Sequence, residues 1–149
     1  MNDRFANGFL AGLIGGVVMT VLNLISFYVL GLAQILYLDW ASVLIFGYRF
    51  ATTLEAVIGQ IGQLFFAAVV GVVFAYLLPA TTSRYYLFKG WVYGLVVWFG
   101  SYAITLLYNV TPLIPIKADT VISNIVTASV YGLMLAWSLK KLSFRQKVN

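Results

Sequence analysis

Four stretches of the chain, 8–33, 53–78, 90–108 and 120–139, carry a single charge among them, Glu55. Each is close to the roughly 20 apolar residues that cross the hydrocarbon of a bilayer. A segment inside lipid has no water to satisfy its backbone amides and carbonyls, so it must be a helix or part of a closed barrel. Runs this long point to helices. The expected fold is an all-α integral membrane protein, a single domain over 1–149 with four transmembrane helices in a tight bundle. Composition closes off the soluble alternative: 62% of the 149 residues are hydrophobic and 9% charged, and mean hydropathy is +0.97. A water-soluble domain of this length exposes too much surface to hide that many apolar side chains. The first run, uncharged over 9–32, also exceeds the roughly 7–15 apolar residues of a cleaved signal peptide, and reads as a retained span.

The breaks between the spans are polar and rich in turn formers. Pro79 follows the second span, a polar turn occupies 80–89, and 109–120 holds Pro112 and Pro115. Asp119 or Thr120 is placed to cap the fourth helix. Seven of the nine basic residues (Arg4, Arg84, Lys89, Lys140, Lys141, Arg145, Lys147) fall on one side of this topology, and Arg49 and Lys117 on the other. Basic loops stay in the cytoplasm, so both termini are expected there. The formal charge of +5 thus reads as topology, and the partner it implies is the lipid bilayer rather than nucleic acid. Residues 34–50 are too apolar for a free loop and too short to span. They suggest a short interfacial or re-entrant helix over 40–46, capped by Asp39 and ended by Gly47. Trp91, Tyr93 and Trp137 are expected toward the inner interface and Tyr108 toward the outer one.

Lipid offers helices no hydrophobic reason to associate, so contact depends on small residues and polar bonds. Every span has a small-residue stripe: Gly8, Gly12 and Gly16; Ala67, Gly71 and Ala75; Gly90 and Gly94; Asn124, Ala128, Gly132 and Ala136. These stripes predict close helix packing, within the chain or against a second copy or another membrane protein. Spans one and three both open on Gly-x3-Gly-Leu and run in the same direction, which would make two parallel hairpins the repeating unit.

Catalytic chemistry finds few materials. Cys and His are absent, which removes thiolate nucleophiles, thiolate metal sites and the commonest general base. The carboxylates Asp3, Asp39, Glu55 and Asp119 are scattered at or beyond span ends, so no metal site, cofactor site or catalytic pair is assigned. Glu55 fits a capping box with Thr52. Polar residues inside the spans remain: Asn23, Gln60, Gln63, Asn124 and Thr127. They serve either as interhelical hydrogen bonds or as the lining of a polar path toward the outer half of the bundle. Buried charge, the usual mark of proton or ion pathways, is missing from the span centres.

The stretch KGWVYGLVVWFGSYAITLLYNVTPLIPIKADTVISNIVTASVYGLMLAWS (89–138) resembles the C-terminal half of YqhR-like proteins, small membrane proteins of Gram-positive bacteria. The shared features are a YG near the start of span three, a Pro-containing external loop and a second YG near the end of span four. GFLAGLIGG (8–16) and DWASVLIFG (39–47) are similar to their N-terminal half. The resemblance implies a multi-pass protein of the bacterial plasma membrane and brings no activity with it. A non-catalytic scaffold or accessory subunit is the expected role, with a small channel or transporter as the alternative.

Overall fold

The computed structural model describes residues 3–80 and 84–148. Residues 81–83 of the polar turn, and the side chains of Arg145 and Lys147, lie outside the described residues. Five helices follow one another: α1 (Arg4–Tyr28), α2 (Tyr37–Phe46), α3 (Thr53–Leu77), α4 (Tyr86–Leu107) and α5 (Ala118–Val148). Among the described residues no strand occurs. Helices α1, α3, α4 and the Ala118–Ser143 part of α5 are each long and apolar enough to cross a membrane. "Near end" below means the end that holds both termini, and "far end" the opposite one.

The helix ends depart from the expected spans for identifiable reasons. Helix α1 starts at Arg4 rather than 8, because the Asp3 carboxylate accepts the Ala6 N–H at 3.0 Å. It ends at Tyr28 rather than 33, where the chain turns through Gly31 (φ +64°) and the Leu32 N–H returns to the Ser26 carbonyl at 3.0 Å. A positive φ costs glycine little, which is why the turn falls there. Helix α2 starts at Tyr37, three residues before the expected 40. Asp39 therefore caps from the third helical position, accepting the Leu36 N–H at 2.7 Å. Gly47 (φ +80°) closes α2. Helix α4 begins at Tyr86 rather than 90 and ends at Leu107. Helix α5 begins at Ala118, so Asp119 and Thr120 lie inside its first turn and neither is the cap residue. It also runs past 139 to Val148, since the basic tail has no Gly or Pro to stop it.

Helix α1 is central, packing on α3 and on α5, while α4 packs on α5 and α2 on α3. Buried Ala11, Met19, Phe74, Tyr131 and Leu135 form the core, with the alanines of the small stripes. Large apolar side chains point outward: Leu10, Ile14, Val17, Val21 and Ile25 make one exposed stripe along α1. Small and polar residues inside with large apolar ones outside is the arrangement lipid selects.

The small stripes meet in two equivalent pairs. A Cβ on Gly71 would run into the Gly8 carbonyl and the Gly12 backbone; one on Gly132 would run into the Gly90 carbonyl and the Gly94 backbone. Gly12 abuts the Ala67 carbonyl as Gly94 abuts that of Ala128, and Gly8 faces the Ala75 methyl as Gly90 faces that of Ala136. One helical level further, Thr20 Oγ1 donates to Gln63 Oε1 at 2.9 Å, and Asn124 Nδ2 donates to the Tyr102 hydroxyl at 2.9 Å. Gly8, Gly12 and Thr20 thus correspond in spacing to Gly90, Gly94 and Tyr102, and Gln63, Ala67, Gly71 and Ala75 to Asn124, Ala128, Gly132 and Ala136. The molecule is two like hairpins, α1 with α3 and α4 with α5, and α2 is inserted in the first.

Candidate functional site: a polar seam under a helical cap

The far end gathers nearly all the polar side chains of the spans. Their helical spacing is the local cause: Thr20, Asn23 and Ser26 share one face of α1, and Thr120, Ser123, Asn124 and Thr127 share one face of α5. Where the two helices cross, Asn23 Nδ2 donates to Asn124 Oδ1 at 3.1 Å, and the Ser26 and Ser123 hydroxyls lie 2.6 Å apart. Asn23 and Asn124 are 2% and 0% exposed. Thr127 turns inward on its own helix, donating to the Ser123 carbonyl at 3.1 Å.

Gln60 and Gln63 sit on the other side of α1. Gln60 Nε2 donates to Thr20 Oγ1 at 3.1 Å and to Gln63 Oε1, and Thr20 completes a three-membered cluster by its own bond to Gln63. The five polar residues singled out in the sequence thus fall into two groups. Asn23, Asn124 and Thr127 lie along α1 and α5, and Gln60 and Gln63 lie between α1 and α3.

Helix α2 sits over this seam and touches all four spans. The Tyr37 N–H donates to Asn23 Oδ1 at 3.0 Å, and the Tyr37 hydroxyl to the Asn124 carbonyl at 2.7 Å. Trp40 Nε1 donates to Thr105 Oγ1 at 2.9 Å, with its ring stacked on Tyr102. Ser42 lies against Gly59, where a side chain would collide with its hydroxyl. Ahead of α2, the Gln34 N–H reaches Thr120 Oγ1 at 2.9 Å. Asn124 is six residues into α5, about 9 Å along its axis, so α2 is seated within the first turns of the bundle and goes no deeper.

One ion pair holds this segment closed. Arg49 Nε and Nη2 donate to the two Asp39 oxygens at 3.0 and 3.1 Å, and Nη2 also reaches the Gln34 carbonyl at 3.0 Å. Asp39 is fully buried while Arg49 is 40% exposed. Beside it the α3 capping box forms: Thr52 Oγ1 accepts the Glu55 N–H at 3.2 Å, and Glu55 Oε2 accepts the N–H groups of Ala51 and Thr52. Its other oxygen accepts the Tyr48 hydroxyl at 3.0 Å, which holds the Tyr48 phenol proton and raises its pKa. Asp3, Asp39 and Glu55 are therefore all occupied in capping or pairing.

Two buried polar atoms of the seam keep no protein partner, Gln63 Nε2 and Ser42 Oγ. Tyr37, Tyr102 and the clamp formed by Asp39 and Arg49 were not singled out from the sequence, and Trp40, Thr105 and Thr120 were not read there as parts of a site. The helical spacing of Thr120, Ser123, Asn124 and Thr127 was a usable signal. The aromatic residues gave none, since Tyr and Trp near span ends have an interfacial explanation of their own. No protein-family model matches the chain, and no curated protein or solved structure is similar to it.

Proposed function

We propose that this chain is a multi-pass protein of the bacterial plasma membrane with both termini in the cytoplasm. In this reading it works without catalysis, as a scaffold or accessory subunit that packs against a second copy or another membrane protein. The observation that carries the proposal is the pairing of the span amides. Asn23 of α1 binds Asn124 of α5, and Thr20 of α1 binds both Gln60 and Gln63 of α3, beneath a helix bolted to the far end by Tyr37, Trp40 and the Asp39–Arg49 pair. Side chains bonded from one helix to the next hold the helices together, and such bonds contribute about 0.6 kcal/mol each in membrane bundles.

The competing reading, a small channel or transporter, draws on Gln63 Nε2 and Ser42 Oγ, two buried polar atoms without a partner in the protein. Flux separates the two. Proteoliposomes holding the scaffold should pass potassium, protons and small neutral solutes no faster than empty liposomes. Flux that the Gln60→Leu/Gln63→Leu pair abolishes would replace the scaffold with a channel. Orientation has its own check in a chain without native cysteine. An impermeant maleimide added to intact cells should label Lys117→Cys, and should label Arg84→Cys only after permeabilisation. The reverse pattern would invert the topology.

A further inference from the structure

A groove of about 400 Å³ opens at the near end, lined by Ile14 of α1 and Trp137, Ser138, Lys141 and Leu142 of α5. Ser138 is 2% exposed, yet its hydroxyl has no partner in the protein. A buried hydroxyl left unpaired is costly, so a ligand atom there is favoured. The Lys141 ammonium lies 4.0 Å from the centre of the Trp137 ring. Ser138 is 20 residues into α5, about 30 Å along its axis. That equals the thickness of the hydrocarbon core, which puts Lys141 at headgroup level and Ser138 one turn deeper. Ile14 and Trp137 are 41% and 42% exposed, so the groove is open sideways, toward lipid.

We propose that this groove binds one anionic phospholipid. Lys141 takes the phosphate, Ser138 donates to the glycerol ester carbonyl one level below, and an acyl chain lies along Ile14 and Leu142. Charge favours the anion. Asp39, Glu55 and Asp119 are all at the far end, and the one acid at this end, Asp3, is engaged in capping α1. A basic pocket between spans at headgroup depth is a recognised mode of anionic lipid recognition. Occupancy follows from the end of the bundle, not from the side of the membrane it faces, so it stands apart from both the scaffold reading and the topology.

The test is native mass spectrometry of the full chain released from nanodiscs made of equal parts phosphatidylglycerol and phosphatidylcholine. The wild type should retain phosphatidylglycerol over phosphatidylcholine by about fivefold, the effect of one lysine beside an anionic headgroup. Lys141→Gln should erase that preference, and Ser138→Ala should lower phosphatidylglycerol retention about threefold, the worth of one hydrogen bond in lipid. Lys140→Gln should leave it unchanged, because Lys140 points to the Tyr86 ring of α4, 4.2 Å away. Equal retention of the two lipids by the wild type would overturn the proposal, whether or not every variant folds. So would a preference that survives Lys141→Gln. Loss of the bound lipid to inorganic phosphate alone would assign the groove to a soluble anion and overturn the lipid.

Discussion

Asn124 shows how much one fully buried neutral side chain can carry. Its Oδ1 accepts from Asn23, its Nδ2 donates to Tyr102, and its own carbonyl accepts the Tyr37 hydroxyl. Truncation to alanine would strand the Asn23 amide and the Tyr102 hydroxyl in a buried seam. Asn124→Ala should therefore cost about 1–3 kcal/mol, the penalty of buried groups left unsatisfied, read as a shift in reversible unfolding in mixed micelles. Gln60 is half-buried, and Gln60→Ala should cost less than about 1 kcal/mol by the same measure. The polarity of Asn23 and Asn124 was visible along the chain, but their pairing was not, because it links positions 101 residues apart. Glu55 was the opposite case. Its partner Thr52 is three residues away, so local spacing sufficed to assign the cap, though not the added bond from Tyr48.

At the scale of helices, glycine does two different jobs in this bundle. Gly132 lets α4 and α5 touch backbone to backbone, and a methyl there would have to displace the Gly90 carbonyl. Gly100 of α4 has nothing within 4 Å of a Cβ position. Gly132→Ala should destabilise by about 1–3 kcal/mol through overpacking. Gly100→Ala should be neutral or stabilise by up to about 1 kcal/mol, since alanine is the better helix former. Thermal melts followed by circular dichroism would show the two moving in opposite directions. Helix α2 depends on a different device. Arg49→Met removes the partner of a fully buried carboxylate but leaves every small-residue contact between spans in place. Amides of 34–47 should then exchange with deuterium about tenfold faster or more, the equivalent of losing roughly 1.4 kcal/mol of local stability. Those of α1 and α3 should keep their protection. Uniform loss of protection would mean that α2 cannot open without the bundle. The existence of a short helix after span one was legible from its apolar run and Gly47. Its start was not, because Tyr37 enters the helix to reach Asn23 and Asn124, a tertiary demand that no local pattern announces.

Across the whole molecule two kinds of contact hold the spans together. Within each hairpin, glycine and alanine stripes bring backbones together, and bonds such as Thr20 to Gln63 and Asn124 to Tyr102 add to them. Between the hairpins the bonds are polar: Asn23 to Asn124, Ser26 to Ser123, Tyr131 to the Ala67 carbonyl and Tyr93 to the Val70 carbonyl. The shared Gly-x3-Gly-Leu openings of spans one and three were a visible trace of this order. The partner stripes were visible too, but nothing in the sequence told which stripe would face which. Backbone-to-backbone packing inside each hairpin implies that each hairpin can insert and hold its shape before the two dock. Residues 1–82 and 83–149, expressed together with a tag on one fragment, should therefore co-purify in mild detergent. The docking seam has a sensitive point at Gly15, where a Cβ would lie 3.1 Å from the Tyr131 ring. Gly15→Leu should lower recovery of the untagged fragment by about tenfold or more, since overpacking a close seam costs about 1–3 kcal/mol, and Gly100→Leu should leave it unchanged. Fragments that fail to associate, or that associate regardless of Gly15, would mean that the four spans form one cooperative unit in spite of their repeated architecture.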